Sequence, residues 1–440
     1  MDNMTKQEFE AIYTDKLQRK QRPVLKEFLQ NKSDQQIANS LSPKVTKNCV
    51  SRHISTICQL FNIKNEQGYT QRDDLIKLFV KYKRELVCEK LLKEFGERSP
   101  EPRKILEVPE EIVPLNSEFY IERSRMEADC YQQILRPGSM IRIKAPKLMG
   151  KTSLLNRIIK NAQINEYRLV RLDFRDAEED VLNNTNKFFE WFCFNISEKL
   201  KLECNIDLQA RGGILVNCKK YFQAEVLEAI NCPLVLALEE IDCIFYHEKT
   251  AQEFLKMLRS WFEETKKTDI WKNLRMVLLH STNVYVELPH NQSPFNVGFS
   301  VELTEFNQPN ILDLARRHQL SWGTDEVIAL MAIVGGYPYL VRKALYHLHD
   351  SNLSLAEVLH NAATDVGIYG EHLYRHWTDL QKYSELKLAL KQVVLADSSV
   401  KLEQVLEFKL LSTGLVKRHQ HGITSSCRLY RDYFAEKFRD

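Results

Sequence analysis

Short apolar runs alternate with amphipathic helical segments along the middle of the chain. Candidate strands, each rich in apolar residues, lie at 140–143, 168–174, 234–238 and 274–280. Apolar residues recur at helical spacing over 151–162, 186–200, 218–229 and 251–265. Strands that are apolar on both faces and alternate with helices are typical of a parallel sheet covered by helices on both sides. The pattern therefore predicts an α/β core.

Both ends of the chain show helical periodicity without this alternation. A proline-rich stretch at 98–114 follows the N-terminal helical segment, and helical patterns return from about residue 308. Beyond 380, two helical patterns are followed by a glycine-containing hairpin, which is the order of elements in a winged helix. We predict an N-terminal helical domain at 1–90, a linker at 91–114, the core at 115–305, a helical lid at 306–379 and a winged-helix-like domain at 380–440.

Composition narrows the class of protein. The chain has 440 residues, of which 44% are hydrophobic and 28% charged, as in ordinary globular proteins. No apolar run approaches the length of a membrane span, and the polar N-terminus does not resemble a signal peptide. The ten cysteines form no C-x-x-C pair, so we expect reduced thiols without structural zinc. These features predict a cytoplasmic protein without a membrane partner.

The net charge of +3 conceals an asymmetry along the chain. Residues 1–105 carry 21 Lys and Arg against 14 Asp and Glu, a net charge of +7. A basic N-terminal module is suited to contact with nucleic acid, and a solvated basic face would have the same composition. Charge alone leaves both interpretations open.

The segment 145–152 carries the most specific chemistry in the sequence. It reads Ala-Pro-Lys-Leu-Met-Gly-Lys-Thr and follows the apolar run at 140–143. In a phosphate-binding loop, backbone N–H groups and the helix N-terminus hold the β-phosphate, Lys151 reaches the β- and γ-oxygens, and the Thr152 hydroxyl holds Mg²⁺. Ala145 stands where the pattern has glycine, which is a mild departure if φ stays negative there.

Two carboxylates, Glu239 and Glu240, follow the apolar run at 234–238. In P-loop enzymes the first carboxylate coordinates the metal and the second polarises the attacking water. The first is normally aspartate, and the longer side chain of Glu239 moves its oxygens by about one C–C bond length, to which the Mg²⁺ octahedron is sensitive. The pair therefore indicates nucleotide binding more strongly than rapid hydrolysis. A buried strand that runs into an acidic helix cap is the simpler alternative.

A series of ordered motifs resembles the AAA-like domain ATPases that are common in cyanobacteria, and more broadly the AAA+ and STAND signalling ATPases. The motifs include Phe119-Tyr-Ile-Glu-Arg123, Lys147-Leu-Met-Gly-Lys-Thr-Ser153, Leu236-Ala-Leu-Glu-Glu-Ile-Asp242, Leu314-Ala-Arg-Arg-His318 and Gly335-Gly-Tyr-Pro-Tyr-Leu-Val341. The resemblance covers about residues 115–435. It implies an AAA+-type P-loop NTPase core with a parallel sheet, a helical lid, a C-terminal winged helix, and ATP with Mg²⁺ as ligands.

The same resemblance implies a role for individual residues around the nucleotide. Phe119, Tyr120 and Arg123 are expected at the entrance of the base pocket, and Pro338 on the adenine side. The residues expected to bind the phosphates are Ala145, Pro146, Lys147, Leu148, Met149, Gly150, Lys151, Thr152 and Ser153.

For the metal and the water, the resemblance implies Thr152 and Glu239 as metal ligands and Glu240 as the residue that acts on the water. The usual pair in the family is Asp-Glu, so Glu239 is a departure that bears on hydrolysis.

A third strand end adds a candidate, since the run at 274–280 is followed by Ser-Thr-Asn283. If this strand lies between the phosphate-loop strand and the carboxylate strand, Asn283 can orient the attacking water, although a strand-end turn would explain it almost as well. Many related switches carry an arginine at this point. Arg275 or the pair Arg316 and Arg317 are alternative candidates for contact with the γ-phosphate.

The N-terminal part of the chain contains Ser33-Asp-Gln-Gln-Ile-Ala38, Val50-Ser-Arg-His-Ile54 and Tyr69-Thr-Gln-Arg-Asp-Asp-Leu75 in this order. With these motifs, about residues 15–85 resemble LuxR-type helix-turn-helix domains, an all-α fold. Helices are predicted at 22–30, at 34–41 with Ser33 as the N-cap, and at 46–61. The third helix has one apolar face and one face of short polar and basic residues suited to phosphates and base edges. That second face consists of Lys47, Asn48, Ser51, Arg52 and Ser55. Such modules contact double-stranded DNA or serve as protein–protein adaptors.

The sequence as a whole predicts an ATP-binding, slowly hydrolysing regulatory switch. Its nucleotide state would control the helix-turn-helix module, homo-oligomerisation, or both. One alternative is an adaptor that does not hydrolyse ATP and recruits an effector protein. The other is a DNA-binding transcriptional regulator whose P-loop sets its oligomeric state.

Overall fold

The computed structural model describes residues 6–63, 71–95, 106–123, 125–208, 210–281, 289–351 and 353–439. The chain divides into two compact units, Met1–Ile105 and Leu106–Asp440. Among the described residues, no helix is both long enough and apolar enough to cross a bilayer.

The first unit consists of helices. They are α1 (Lys6–Ala11), which continues into a π-helical turn at Ile12–Lys16, α2 (Gln21–Leu29), α3 (Asp34–Ser40), α4 (Lys47–Leu60), α5 (Gln71–Tyr82) and α6 (Glu89–Phe95). The rings of Phe9, Phe61 and Phe79 meet in the core with centroids 5.1–5.5 Å apart. Ser33 caps α3 as predicted, because its hydroxyl accepts a hydrogen bond from the backbone of Gln36 while the Gln36 side chain accepts one from the Ser33 backbone.

The second unit is built on a parallel sheet, which confirms the predicted α/β core. The strands are β1 (Met140–Lys144), β2 (Arg168–Asp173), β3 (Leu234–Glu239), β4 (Leu274–His280) and β5 (Phe299–Glu302). Their order is β2-β3-β4-β1-β5, and every neighbouring pair is parallel. β4 therefore lies between the strand that precedes the phosphate loop and the strand that ends at Glu239.

Alternate residues of the central strands enter different hydrophobic cores. On β3, Val235 and Ala237 face one core, while Leu234, Leu236 and Leu238 face the other. Helices from both sides supply the opposing surfaces. These helices are α7 (Arg125–Leu135), α8 (Lys151–Ile164), α9 (Glu179–Asn183), α10 (Thr185–Leu200), α11 (Ile214–Tyr221), which continues into a π-helical turn at Phe222–Glu228, and α12 (Glu248–Glu264).

The C-terminal third packs on one face of the sheet. It begins with α13 (Gln308–Arg317), α14 (Thr324–Val334), α15 (Pro338–Asp350), α16 (Leu355–His360) and α17 (Gly370–Gln381). It continues with α18 (Ser384–Leu395), α19 (Gln404–Thr413), the antiparallel hairpin β6 (Val416–His419) and β7 (Gly422–Ser425), and α20 (Arg428–Lys437). Leu340, Leu390 and Tyr430 belong to the same core as Ile143 of β1.

Candidate functional site

The loop from 145 to 150 joins the carboxyl end of β1 to the N-terminus of α8. Gly150, with φ of +96°, precedes the first turn of α8, and Leu148 also has a positive φ of +63°. Ala145 is not among the residues with positive φ, and its backbone N–H donates to the His280 carbonyl at 3.3 Å. The methyl group that replaces glycine is therefore accommodated without backbone strain, buried in the core.

Lys151 points back into this loop. Its ammonium donates to the carbonyl oxygens of Ala145 at 2.8 Å and Pro146 at 3.2 Å, and to the Ser281 hydroxyl at 3.0 Å. The residue is 6% exposed, and burial lowers the pKa of Lys151, against the opposing charges of Glu240 and Asp242. Since its three acceptors are all neutral oxygens, an arriving polyphosphate would provide the first anion in contact with it.

Glu239 is the last residue of β3, and its side chain contacts both α8 and β2. One carboxylate oxygen accepts a hydrogen bond from Thr152 Oγ1 at 3.2 Å, and the other forms an ion pair with Arg171 of β2. Arg171 also donates to Asn156 Oδ1 of α8 at 2.9 Å. Contacts to both of its oxygens therefore orient the carboxylate of Glu239, and the residue is buried, with only 3% of its surface exposed.

The residues present fit a magnesium ion that is shared with phosphates. Thr152 and Glu239 place two hard oxygen ligands side by side, and Mg²⁺ is usually held by one or two protein oxygens with phosphates and water completing the octahedron. No group of three or more His, Cys, Asp or Glu suited to a metal occurs within the described parts of the chain. Binding of Mg²⁺ would accordingly depend on the nucleotide.

Glu240 occupies an unusual backbone position directly after β3. Its φ is +51°, in the left-handed region, and it begins the 3-10 turn at Ile241–Tyr246. Such a conformation costs a non-glycine residue about 1–2 kcal/mol, and strain of this kind concentrates at functional sites. The same turn brings Asp242 to the end of β4, where its carboxylate accepts a hydrogen bond from the Ser281 backbone at 2.6 Å.

The end of β4 contributes Ser281, to which the sequence analysis assigned no role. This serine is buried and contacts Lys151, and its position directly after an apolar strand was the available signal. Asn283 lies in the segment 282–288, outside the described residues.

A small pocket opens beside the phosphate loop, with a cavity volume of about 40 Å³. The four residues that the sequence assigned to the base, Phe119, Tyr120, Arg123 and Pro338, all line it. Other lining residues are Glu110, Glu111, Val113, Ile121, Leu148, Met149, Gly150, Ser153, Phe306, Leu314, Tyr339 and Arg342. The structure thus brings the segment before α7, the phosphate loop and the first turn of α15 together around one cavity.

The predicted base-pocket residues also hold the loop in place. Arg123 donates to the Met149 carbonyl at 2.7 Å, which ties the segment before α7 to the phosphate loop. Tyr120 donates to the buried Glu127 carboxylate at 3.0 Å, and burial raises the pKa of Tyr120. The Phe119 ring packs on His318 with centroids 4.4 Å apart.

Of the arginines considered for the γ-phosphate, Arg275 lies away from the phosphate loop. It is at the amino end of β4, opposite the end that meets the phosphate loop, and it donates to the Lys272 and Asn273 carbonyls at 2.9 Å. Arg317 donates to the Glu118 carbonyl at 2.6 Å and the Tyr120 carbonyl at 2.9 Å, so it supports the base-pocket segment.

The C-terminal elements contact the phosphate loop itself. Gly414, which ends α19 with φ of +79°, lies so close that an added Cβ would overlap the Tyr337 hydroxyl and approach Pro146 to 3.3 Å. The Tyr337 hydroxyl donates to the Lys147 carbonyl. On the neighbouring strand β6, Lys417 pairs with Glu305 at 3.5 Å.

In the first unit, α4 has two distinct faces. Val50, Ile54, Ile57 and Cys58 are buried, as the apolar spacing predicts. The five residues proposed for DNA contact are all exposed on the other face. They are Lys47, Asn48, Ser51, Arg52 and Ser55.

The sheet order, the phosphate loop after β1 and the carboxylates after β3 define the second unit as a P-loop NTPase with an α/β core. More specifically, the chain belongs to the AAA-like domain family, whose model matches residues 108–436.

Several solved structures are similar to this chain. A Walker-type ATPase of Pyrococcus abyssi is 12% identical with a TM-score of 0.50, and the alignment covers 72% of this chain and 96% of that one. The Aeropyrum pernix ORC2 protein, in ADPNP and ADP complexes, is 15% identical with a TM-score of 0.39, covering 74% and 98%. A STAND protein with a tetratricopeptide repeat sensor from Pyrococcus horikoshii is 17% identical with a TM-score of 0.34, covering 76% and 44%. The comparison with curated proteins found no match.

Proposed function

We propose that the protein is an ATP-binding regulatory switch that hydrolyses ATP slowly. The observation that carries this proposal is the contact of Gly414 and Tyr337 with the phosphate loop at Pro146 and Lys147. Because that contact joins the loop to the lid and to the C-terminal module, occupation of the loop by a polyphosphate would alter the packing of both.

Within the site, each proposed role follows from the neighbours of the residue. Lys151 would exchange its carbonyl acceptors for the β- and γ-oxygens, and the backbone of the loop would hold the phosphates. Thr152 and Glu239 would hold Mg²⁺, which neutralises charge on the phosphates when bound. Glu240, in its left-handed conformation beside the metal carboxylate, would accept a proton from the attacking water.

Slow turnover is supported by the surroundings of Glu239. Its longer side chain is already engaged by Arg171 and Thr152, so the carboxylate must satisfy a guanidinium as well as a metal. The same observation favours a second candidate function, an adaptor that binds ATP without hydrolysing it and recruits an effector protein.

For the first unit, we propose a LuxR-like helix-turn-helix module in which the exposed face of α4 contacts double-stranded DNA, and for the last 60 residues a winged helix. The short polar and basic residues of α4 are suited to phosphates and base edges, and Thr46 caps the helix by accepting from the Cys49 backbone at 3.3 Å. A steep salt dependence of DNA binding would favour a transcriptional regulator, and nucleotide-dependent homo-oligomerisation in the cytoplasm would fit the switch.

The decisive experiment measures ATP affinity and single-turnover hydrolysis for the full chain and three variants. A switch is expected to lose binding in Lys151→Ala, to lose turnover but not binding in Glu240→Gln, and to hydrolyse faster in Glu239→Asp. Lys160→Ala, on the same helix but exposed, is the matched control. If the wild type binds ATP without any turnover, the adaptor is the remaining candidate function. If Lys151→Ala binds ATP as tightly as the wild type does, the proposed nucleotide site is refuted.

A further inference from the structure

Arg342 lies on α15, one turn after Pro338, and belongs to the lining of the base pocket. It is only 4% exposed, which is rare for an arginine. Sequence reasoning assigned it no role, and the resemblance to a family places nothing at this position.

The hydrogen bonds of Arg342 are incomplete. One terminal nitrogen, Nη2, forms an ion pair with the Glu107 carboxylate, and the guanidinium lies over the Phe119 ring at 5.3 Å from its centroid. The other two nitrogens, Nε and Nη1, are shielded from solvent and have no partner among the described residues. A buried N–H without an acceptor is destabilising, so such groups usually have a ligand or a water as partner.

The other residues of the pocket indicate which kind of ligand would suit these donors. The lining includes Phe119, Leu314 and Pro338, which offer flat or apolar contacts to a ring, and also Glu110 and Glu111. Arg123, in the same pocket, also has a buried Nε without a partner in the described parts of the chain. An aromatic ligand with unprotonated ring nitrogens would satisfy these donors while stacking on the apolar surface, and purines have such nitrogens.

We propose that Arg342 is a specificity-determining residue that recognises the purine base by donating to one of its ring nitrogens. This inference rests on the proposed function, since it needs a nucleotide in the site. It assigns to Arg342 a hydrogen bond to a ring nitrogen of the base, independently of the phosphates that Lys151 would bind.

The test replaces single atoms of the base. ATP and its 1-deaza, 3-deaza and 7-deaza analogues, in each of which one ring nitrogen becomes C–H, are titrated against the full chain by displacement of a ribose-labelled ATP. The wild type is expected to bind one analogue about tenfold more weakly than ATP, the usual size of one hydrogen bond. Arg342→Met is expected to bind ATP about tenfold more weakly and to be insensitive to that same substitution.

Two further variants separate recognition from folding. Glu107→Gln removes the ion-pair partner of Arg342 and is expected to keep the preference for ATP over the analogue. Lys343→Met changes the next residue of α15, outside the pocket lining, and should bind as the wild type does.

The outcomes also separate this inference from the proposed function. If the wild type binds ATP through Lys151 but binds all three analogues equally well, or if the preference persists in Arg342→Met, the role of Arg342 is refuted and the switch stands. If Lys151→Ala binds ATP as the wild type does, the proposed function fails and the inference fails with it.

Discussion

The ion pair between Arg171 and Glu239 can be tested by replacing the arginine with glutamine. Glu239 has a nearly buried side chain, 4% exposed, whereas the Arg171 side chain is 38% exposed. Breaking a fully buried pair costs about 3–5 kcal/mol and an exposed pair about 0.2–1 kcal/mol. Because Glu239 keeps its hydrogen bond from Thr152, we expect Arg171→Gln to lower the free energy of unfolding of the metal-free chain by about 1–2 kcal/mol.

The same substitution is expected to have the opposite effect on metal binding. A guanidinium and a magnesium ion on one carboxylate repel each other, by about 2 kcal/mol for charges of +1 and +2 about 5 Å apart even at the dielectric constant of water. Removing the guanidinium should therefore reduce the Mg²⁺ concentration needed for half-maximal ATP binding by about tenfold.

Two measurements on the full chain check this reasoning. Thermal unfolding in EDTA gives the stability, and titration of Mg²⁺ at a fixed concentration of labelled ATP gives the metal requirement. Arg168→Gln is the control, because Arg168 lies at the opposite end of β2 and donates to the Leu200 carbonyl at 3.1 Å instead of pairing with Glu239. A variant that keeps wild-type stability in EDTA, or that needs more Mg²⁺ than the wild type, would refute the competition between the two cations.

Three further predictions concern the loop contacts and the first unit. Gly414→Ala should destabilise the second unit by about 2–4 kcal/mol in thermal unfolding, because alanine is strained at φ of +79° and overlaps the Tyr337 hydroxyl; an unchanged melting temperature would contradict the contact. Lys151→Met should change the free energy of unfolding of the nucleotide-free chain by no more than about 1 kcal/mol, because the lost hydrogen bonds and the relieved desolvation of the ammonium offset each other. The same variant should abolish the stabilisation of about 2.7 kcal/mol that ATP is expected to give the wild type at a concentration of a hundred times Kd. Hydrogen bonding to Arg72 lowers the pKa of Asp34 below 3.8, so its contribution is present above pH 3.8 and is lost as the pH falls through the lowered pKa. Asp34→Asn should lower the free energy of unfolding at pH 7 by about 1 kcal/mol and reduce the loss of stability in acid. The measurement is far-UV circular dichroism, because all five tryptophans lie in 191–377 and their fluorescence would not report on the first unit. Acid unfolding identical to that of the wild type would rule this out.

The first four strands were predictable because each carries several apolar residues within the length of one strand, although only two of the six residues of β2 are buried, against all six of β3. β4 matches its prediction of 274–280, and β1, β2 and β3 differ by one residue at an end. β5 was missed because Phe299–Glu302 is short and has only one fully buried residue, so its pairing with β1 depends on the tertiary structure. The π-helical turn at Phe222–Glu228 does not visibly alter the helical spacing of the apolar residues, so the sequence did not predict it.

The residues of the nucleotide site also fall into two groups, those that the sequence identifies and those that it does not. The phosphate loop and Glu239 are recognisable because their order within one strand–loop–helix or strand–turn segment carries the chemistry. Arg171 and Arg342 could not be found in this way, since their partners lie 68 and 235 residues away in the chain. Arg275 was one of the alternatives for the γ-phosphate, and its position at the start of a parallel strand puts it at the opposite edge of the sheet from the loop.

Three side chains hold the phosphate loop by its carbonyl oxygens. Arg123 binds the oxygen of Met149, Tyr337 that of Lys147, and Lys151 that of Ala145. Since all three contacts use carbonyls, they do not engage the backbone N–H groups of residues 147–150, which could bind a polyphosphate, whereas the Ala145 N–H already donates to the His280 carbonyl. Lys151 belongs to the loop's own helix, but Arg123 comes from the segment before α7 and Tyr337 from the residue before α15. In the proposed switch, a ligand that draws Lys151 away from the loop would alter the contact between Tyr337 and the loop, and the tight packing of Gly414 against that tyrosine would transmit the change to the C-terminal elements.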